Sequence, residues 1–566
     1  MTIKQGEVKV TKRLLICLLI VVTVFSGVFA SAETWRSELY PTYWASGLQD
    51  SVGRFLHDFS YAGYKTGLTE LPETIEGKYI DVTQEPYFAD NTGTQDATDA
   101  IQAAIDAVGQ AGGGTVYMPA GTYKLSLREE RECALLVGYS NVLLKGAGVG
   151  ETKLYCDTYK MREVQIIVVG QRRGSWDTPA DGTVYPFSKD VPETPVNKIF
   201  LQSVSGLNVG DWVAVTSDWT EAYIKEMGMQ SMWAESDIYG PRIYRKITAV
   251  DTQNGSVTLD APTRCAMLMR DNARLYKINP SVSGSGLADF SIGNREYPIK
   301  SAATDLDAYA YQTKGTAGYN VHASDVIRFS LCVDSWMQNV STYRPECNDR
   351  DVHMLSNGLE IMHCRGITVR NCSFSNAQYQ GAGGNGYGYI ISAGDCLLDT
   401  CSAISTRHGF SFKYAWSNGN VLYNCLSRGS WGGSDFHMML SMANLVDNLT
   451  LDKDFIEAVV RPYGGAAGRI HGHTTTQTVF WNTHGESYFD GKRYIIDSRQ
   501  YGWGYIIGTD GKADKVNTLP TAETEGGYGK VDTSPEDHVE GVGKGDTLDP
   551  QSLYQDQLRR RKFSGG

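Results

Sequence analysis

Lys413, His437 and His471 fall at one position relative to three similar strand endings: Val421-Leu-Tyr-Asn-Cys425, Leu445-Val-Asp-Asn-Leu449 and Val479-Phe-Trp-Asn-Thr483. Counting back 12 residues from Cys425, Leu449 and Thr483 reaches these three side chains, and counting back 13 reaches Phe412, Phe436 and Ile470. Neighbours in a strand point to opposite faces. If Phe412, Phe436 and Ile470 fill a core, Lys413, His437 and His471 stack on the outside at a strand spacing of about 4.8 Å. The same outer face receives Asp435 and Arg469 from two residues earlier, His473 from two residues later, and Arg407 and His408 from the preceding turn. Tyr389 and Glu360 follow one and two coils back, and Trp416 and Trp431 lie close by as platforms for a ring.

Such a set suits removal of a proton next to a carboxylate. A cation neutralises the carboxylate, a base takes the proton, and an acid protonates the leaving oxygen. His437, His471, Lys413 and Asp435 are the catalytic candidates; Arg407, His408, His473, Arg469, Tyr389, Trp416 and Trp431 are the binding candidates. Hydrolysis of a glycosidic bond instead needs two carboxyls about 5–9.5 Å apart. Only Asp435 is central on this face, with Glu360 about 14 Å away at the sheet spacing; Asp395, Asp447 or Glu486 would have to supply the second from loops. A metal held by His437, His471, His473 and Asp435 is the less favoured arrangement.

Stacked coils must position these groups. Steps of 29, 24, 24 and 34 residues separate Cys372, Cys401, Cys425, Leu449 and Thr483, and periods in this range mark a solenoid. Asn371, Asn424, Asn448 and Asn482 recur at one site and read as a structural hydrogen-bonded stack. Cys372, Cys401 and Cys425 read as small core fillers. Cys332–Cys347 and Cys133–Cys156 are open as bridges, and the lack of any C-x-x-C pair argues against zinc.

The 566 residues include 61 Gly and 33 Tyr and few long amphipathic runs, which indicates β structure rich in turns. Lys4, Lys9, Lys12 and Arg13 precede an apolar run from Leu14 to Phe29 and the small residues Ala30-Ser-Ala32, the pattern of a cleaved signal peptide over 1–32. Its loss removes four basic residues and one acidic residue and takes the formal charge from −12 to −15. So acidic a chain argues against nucleic acid or an anionic membrane as partner.

Asp99-Ala-Ile-Gln-Ala-Ala-Ile-Asp-Ala107 forms one apolar helix face with Thr98 or Asp99 as the expected N-cap, and Gly112-Gly-Gly-Thr-Val-Tyr-Met-Pro-Ala-Gly-Thr-Tyr123 and Asn141-Val-Leu-Leu-Lys-Gly-Ala-Gly148 follow. This stretch resembles the start of pectate-lyase-like β-helix proteins of the rhamnogalacturonase/epimerase type. Ser434-Asp-Phe-His437 and His471-Gly-His473 look like patterns of exported bacterial members, while the paired-aspartate motifs of the glycoside-hydrolase branch are not matched. The resemblance implies an all-β fold, a single-stranded right-handed parallel β-helix with an N-terminal helical cap; the alternating strands after 156 add a small antiparallel insertion. The expected organisation is a signal peptide (1–32), lead-in, cap and first coils (33–155), insertion (156–275), coils with the candidate face (276–510) and a Gly-rich acidic tail (511–566), whose terminal basic cluster reads as solvated. The expectation is a secreted or periplasmic protein cleaving a polysaccharide, an acidic one by β-elimination, with glycoside hydrolysis and non-enzymatic polysaccharide binding as alternatives. No resident cofactor or metal is expected, a divalent cation such as calcium being the open alternative; nucleic acid and, after cleavage, membrane are not expected partners.

Overall fold

The computed structural model describes residues 33–236, 238–461, 471–519 and 533–564. The expected signal peptide, Arg469 and Ile470 lie outside them.

From Arg36 onward the chain is a solenoid of parallel strands in three ladders. The first runs from Lys78–Asp81 through Gly114–Met118, Val142–Gly146, Gly286–Asn294 and Trp336–Thr342 to Val479–Ser487, Tyr505–Gly511 and His538–Glu540. The second starts at Thr92–Asp96 and Gly121–Leu125 and continues through Ser402–Ile404 and Leu426–Arg428. The third carries Cys133–Val137, Gln165–Gly170, Asp325–Ser330, Asn357–Arg365, Tyr387–Gly394, His408–Lys413, Ser434–Met438, Ile456–Ala458 and Ile496–Ser498. Parallel strands joined through the other faces give the right-handed winding expected of such crossovers.

The corners explain the asparagines. Asn339, Asn371, Asn424, Asn448 and Asn482 all have φ between 51° and 56°, the left-handed conformation that Asn tolerates better than most residues. Their amides then bond along the stack: Asn371 donates to Asn339 at 2.8 Å and Asn482 to Asn448 at 3.0 Å. Inside, Phe412 stacks on Phe436 with ring centroids 4.6 Å apart. Cys372, Cys401 and Cys425 are buried nearby, and all ten described cysteines are free thiols, so neither candidate bridge forms. The cap helix, Thr98–Gln110, buries Ile101, Ala104, Ile105 and Val108. Its N-cap is Ala97 rather than Thr98, and the Asp96 carboxylate accepts from the Thr98 amide at 2.9 Å.

Two boundaries differ from expectation. Gln165–Gly170 is a coil strand, so the insertion starts later than 156; its six-stranded antiparallel sheet runs from Val184–Pro186 to Arg274–Lys277. The tail also joins the solenoid, since Val516–Asn517 and His538–Glu540 extend two ladders. A terminal helix, Leu553–Ser564, meets the first ladder where the Tyr554 amide donates to Asp447. The terminal basic cluster is not simply solvated: Arg560 donates to Thr42 O, and Arg561 to Ser60 O and Thr66 O.

The insertion is tied to the coils by one buried carboxylate. Asp395 accepts from Arg245 and Arg264, each at 2.6 Å, while Arg365 lies 3.7 Å away; all four side chains are at most 1% exposed. This engagement removes Asp395 from any hydrolytic role. Burial alone would raise its carboxyl, but the three arginines outweigh burial and hold it below the usual range. Asp395→Asn keeps the shape and tolerates the residue's φ of 45°, yet strands buried guanidinium charge, a loss of about 3–5 kcal/mol. Chemical denaturation should show a lower midpoint; an unchanged midpoint would mean the arginines re-pair.

Candidate functional site

The third ladder places one outward column over Arg328, Glu360, Ile390, Ser411, Asp435, Glu457 and Asp497. Next along the strands, Phe412 pairs with Phe436 but Lys413 pairs with Met438. His437 is therefore the extra residue of a β-bulge, a device that re-aims side chains. Lys413 and His437 do not share a register position as counted, yet they converge on Tyr387. Lys413 Nζ lies 3.9 Å from the Tyr387 ring centroid, and the Tyr387 and His437 ring centroids are 5.9 Å apart.

Asp435 is the hub. Its side chain is 0% exposed, accepts from Ser411 Oγ at 2.5 Å and Arg461 Nη2 at 2.7 Å, and lies 2.7 Å from His437 Nδ1. Burial would raise the carboxyl, but His408, Arg461 and His437 outweigh it and hold Asp435 well below the usual range. His437 Nδ1 also lies 2.8 Å from Arg461 Nη1. The two neighbours select different tautomers: Nδ1–H donating to Asp435 leaves a lone pair on Nε2, whereas Nδ1 accepting from Arg461 puts the hydrogen on Nε2. Burial first, then Arg461 and Lys413, push His437 well below its ordinary value.

His408 Nδ1 donates to Gly433 O at 2.6 Å, its ring stacks on Tyr387, and burial pushes it down to about 4. Lys413 is likewise lowered by burial. The Tyr387 hydroxyl is buried without a hydrogen-bond partner among the described residues, and it is raised by burial and by Asp435. Arg407 borders the set and donates to Gly381 O at 2.7 Å.

His471 arrives by an unexpected route. The strand beside Ser434–Met438 is Ile456–Ala458, and an antiparallel bridge joins Arg461 to Gly472. Counting back from Thr483 therefore lands beyond the strand that pairs with Ser434–Met438. His471 still meets His437, with ring centroids 5.4 Å apart, and Trp233 of the insertion donates to its carbonyl at 2.7 Å.

Other expectations are corrected. The site is recessed rather than open: Lys413 is 8% and His408 4% exposed. Tyr389 aligns with Phe410, not Lys413, and stacks on it in the core. His473 is buried and bonds Met227 O of the insertion at 2.9 Å. Trp416 is sandwiched between Tyr414 and His363. Trp431 is 63% exposed beside the turn that holds His408, and of the aromatic candidates it alone is available as a platform. Asp447 is buried against Ser552 and Tyr554, and Glu486 pairs with His484 and Lys512, so neither serves this face. Sequence counting missed Arg461, Tyr387 and Glu457. Tyr387 lies before the counted positions, and Arg461 lies inside the long step.

His408, Asp435 and His437 each offer a ligand atom, all within 4.8 Å of one another. Arg461 already occupies the Asp435 oxygen, and His408 Nδ1 is committed to a carbonyl. A divalent ion would have to displace a guanidinium beside Lys413, so the donor set fits a metal poorly.

A family signature described as rhamnogalacturonase A/epimerase, pectate lyase-like, matches residues 82–174. Alginate lyase 7 of Azotobacter vinelandii is 36% identical over 127 residues, 22% of this chain and 15% of that protein. Mannuronan C5-epimerase AlgE3 of the same organism is 51% identical over 73 residues, 13% of this chain and 4% of that protein. The chain thus matches only a small part of these relatives. Among solved structures, the A-module of A. vinelandii mannuronan C-5 epimerase AlgE4 aligns over 82% of this chain and 100% of its own, at 14% identity and a TM-score of 0.32. The family match ends well before Tyr387.

Both His408 and His437 have folded pKa values below the unfolded value of about 6.5. Unfolding therefore takes up protons below that pH. Their contribution is complete above pH ~6.5 and declines as pH falls, for His408 towards about 4, a loss of roughly 3 kcal/mol. Nitrogen-15 NMR should find both rings neutral from pH 7.5 to 5.5, and protonation of either near 6.5 would contradict the burial argument.

Proposed function

We propose that this chain, a parallel β-helix protein of the pectate-lyase-like superfamily, is an exported enzyme that acts on an acidic polysaccharide by abstracting the proton next to a uronate carboxylate. The observation that carries the proposal is His437 Nδ1 held 2.7 Å from Asp435 and 2.8 Å from Arg461 in a recess beside Lys413, where burial keeps the ring well below its ordinary pKa. With Nδ1–H on Asp435, Nε2 is the base. Lys413, with Arg461 and Arg407 around it, neutralises the substrate carboxylate and the enolate-like charge that develops. His471 and the protonated Tyr387 hydroxyl are the two proton donors within the same ring cluster, and elimination needs one of them at the leaving oxygen. Trp431 offers an exposed face for a neighbouring sugar ring. Among the described residues no helix is long and apolar enough to cross a membrane.

Elimination is favoured over hydrolysis because Asp435, the central carboxyl of this face, is fully covered and fully bonded, which removes it as a nucleophile. One observation favours a hydrolytic second reading: Glu457, the next carboxyl in the column, shares Arg461 with Asp435 and is raised by burial. A raised acid beside an ionised carboxylate is the arrangement a glycosidase uses. The names of the matched relatives support a third outcome of the same proton abstraction, return of the proton to the opposite face, which is C5 epimerisation.

His437→Ala should lower the rate by about 10²-fold or more, and it should also lower stability, because Asp435 and Arg461 lose a partner. Turnover of a panel of uronate polymers is followed by ultraviolet absorbance of unsaturated ends, by reducing ends and by deuterium uptake at C5. Absorbance with reducing ends means elimination, deuterium without either means epimerisation, and reducing ends alone, abolished in Glu457→Gln, means hydrolysis. Full activity in His437→Ala would end the proposal for this base. Activity should also survive EDTA, since Arg461 rather than a metal sits on Asp435; loss restored by calcium would overturn that point.

A further inference from the structure

The insertion holds a second concavity of about 350 Å³, lined by Asp177, Trp219, Tyr239, Arg242, Arg274 and Tyr276 among others. Arg242 is 8% exposed and its Nη2 pairs with Asp177 at 2.9 Å, but its Nη1 is buried with no hydrogen-bond partner among the described residues. Its guanidinium carbon lies 5.3 Å from the Tyr239 ring and 5.0 Å from the Trp416 ring. Arg274 pairs with Asp218 at 2.8 Å across the same cavity. The indole Nε1 of Trp219 is also buried and has no partner among the described residues.

Alternating carboxylates and guanidiniums present acceptors and donors side by side, which matches vicinal hydroxyls. The half-exposed Tyr239 ring, at 52%, supplies an apolar face. Two orphaned buried donors mark where a ligand's acceptors would sit, since such groups are otherwise costly. The charges are paired, so the cavity lacks the cationic excess of the Tyr387 site. We infer that this cavity is a non-catalytic saccharide-binding site that reads sugar hydroxyls and a ring face rather than a carboxylate. Trp416, which stacks on Tyr414 with centroids 4.5 Å apart, links the cavity to Lys413. Resting on the proposed function, the inference makes the cavity a remote subsite for the polymer cut or modified at His437.

The test measures binding of neutral mannohexaose and cellohexaose, and of hexauronates, to the full chain by calorimetry and by Trp fluorescence. At least one neutral hexasaccharide should bind to wild type and to His437→Ala alike, and Tyr239→Ala should weaken it at least tenfold. Tyr239 is exposed, so this variant should fold, which circular dichroism checks. Equal binding by Tyr239→Ala, or no neutral binding at all, overturns the inference. Loss of neutral binding in Tyr239→Ala while His437→Ala stays active would keep this site and discard the proposed catalytic one.

Discussion

Coils stacked at about 4.8 Å force every side chain to touch its counterpart in the next coil, and the rest of the molecule answers that constraint. Inside, like on like is favourable: Phe412 lies flat on Phe436, and Tyr389 on Phe410. At the corner between the first two ladders, repetition of a left-handed residue selects Asn, whose amide also satisfies its neighbour. Outside, repetition of charge would be repulsive. The outward column instead sets Arg328 against Glu360, and Asp435 and Glu457 share Arg461. The bulge at His437 interrupts the column where the densest group of ionisable side chains gathers.

The insertion is part of that solution. Asp395 gathers Arg245, Arg264 and Arg365 in a region without water access, which fixes the sheet against the coils far more specifically than apolar contact would. From this anchor the insertion supplies Trp233 to the carbonyl of His471 and Met227 O to the ring of His473. Two histidines two residues apart thus have different fates. His471 faces His437, and His473 is consumed as a strut.

The sequence made the solenoid, the inward Phe pair, the cysteine column and the asparagine corner legible, because each depends on a repeat that survives counting. It brought Lys413, His437, Asp435, His408 and His471 to one place, although His471 was reached through a register that the chain does not use. A strict count cannot register the bulge at His437 or the antiparallel bridge of Arg461 to Gly472, since neither changes the strand endings. Tyr389 shows the cost: a slip in register moves a side chain from the groove to the core. Burial was also invisible. Coil neighbours such as Tyr387 and Gly433 close over His408, and Trp233 and Met227 of the insertion reach His471 and His473; none of these contacts shows in the period of the coils.

That recess changes the electrostatic logic of the site. In an open groove, neighbouring cations would be the main reason for a neutral histidine; here loss of water is the larger cause, with Arg461 and Lys413 adding to it. Around Tyr387 and Asp435, the cationic side chains Arg407, Lys413 and Arg461 face the carboxyls of Asp435 and Glu457. Asp435 is held ionised, while Glu457 is drawn towards its neutral form. Glu360 also acts on Lys413, but Arg328 already pairs with it, so the set around Tyr387 keeps more cations than unshared carboxyls in a place where charge is poorly screened. Lys413 rests on the Tyr387 ring, and among the described residues no carboxylate forms an ion pair with it. An incoming carboxylate would supply the balancing charge, and its binding would strengthen the field that stabilises further negative charge at the adjacent carbon.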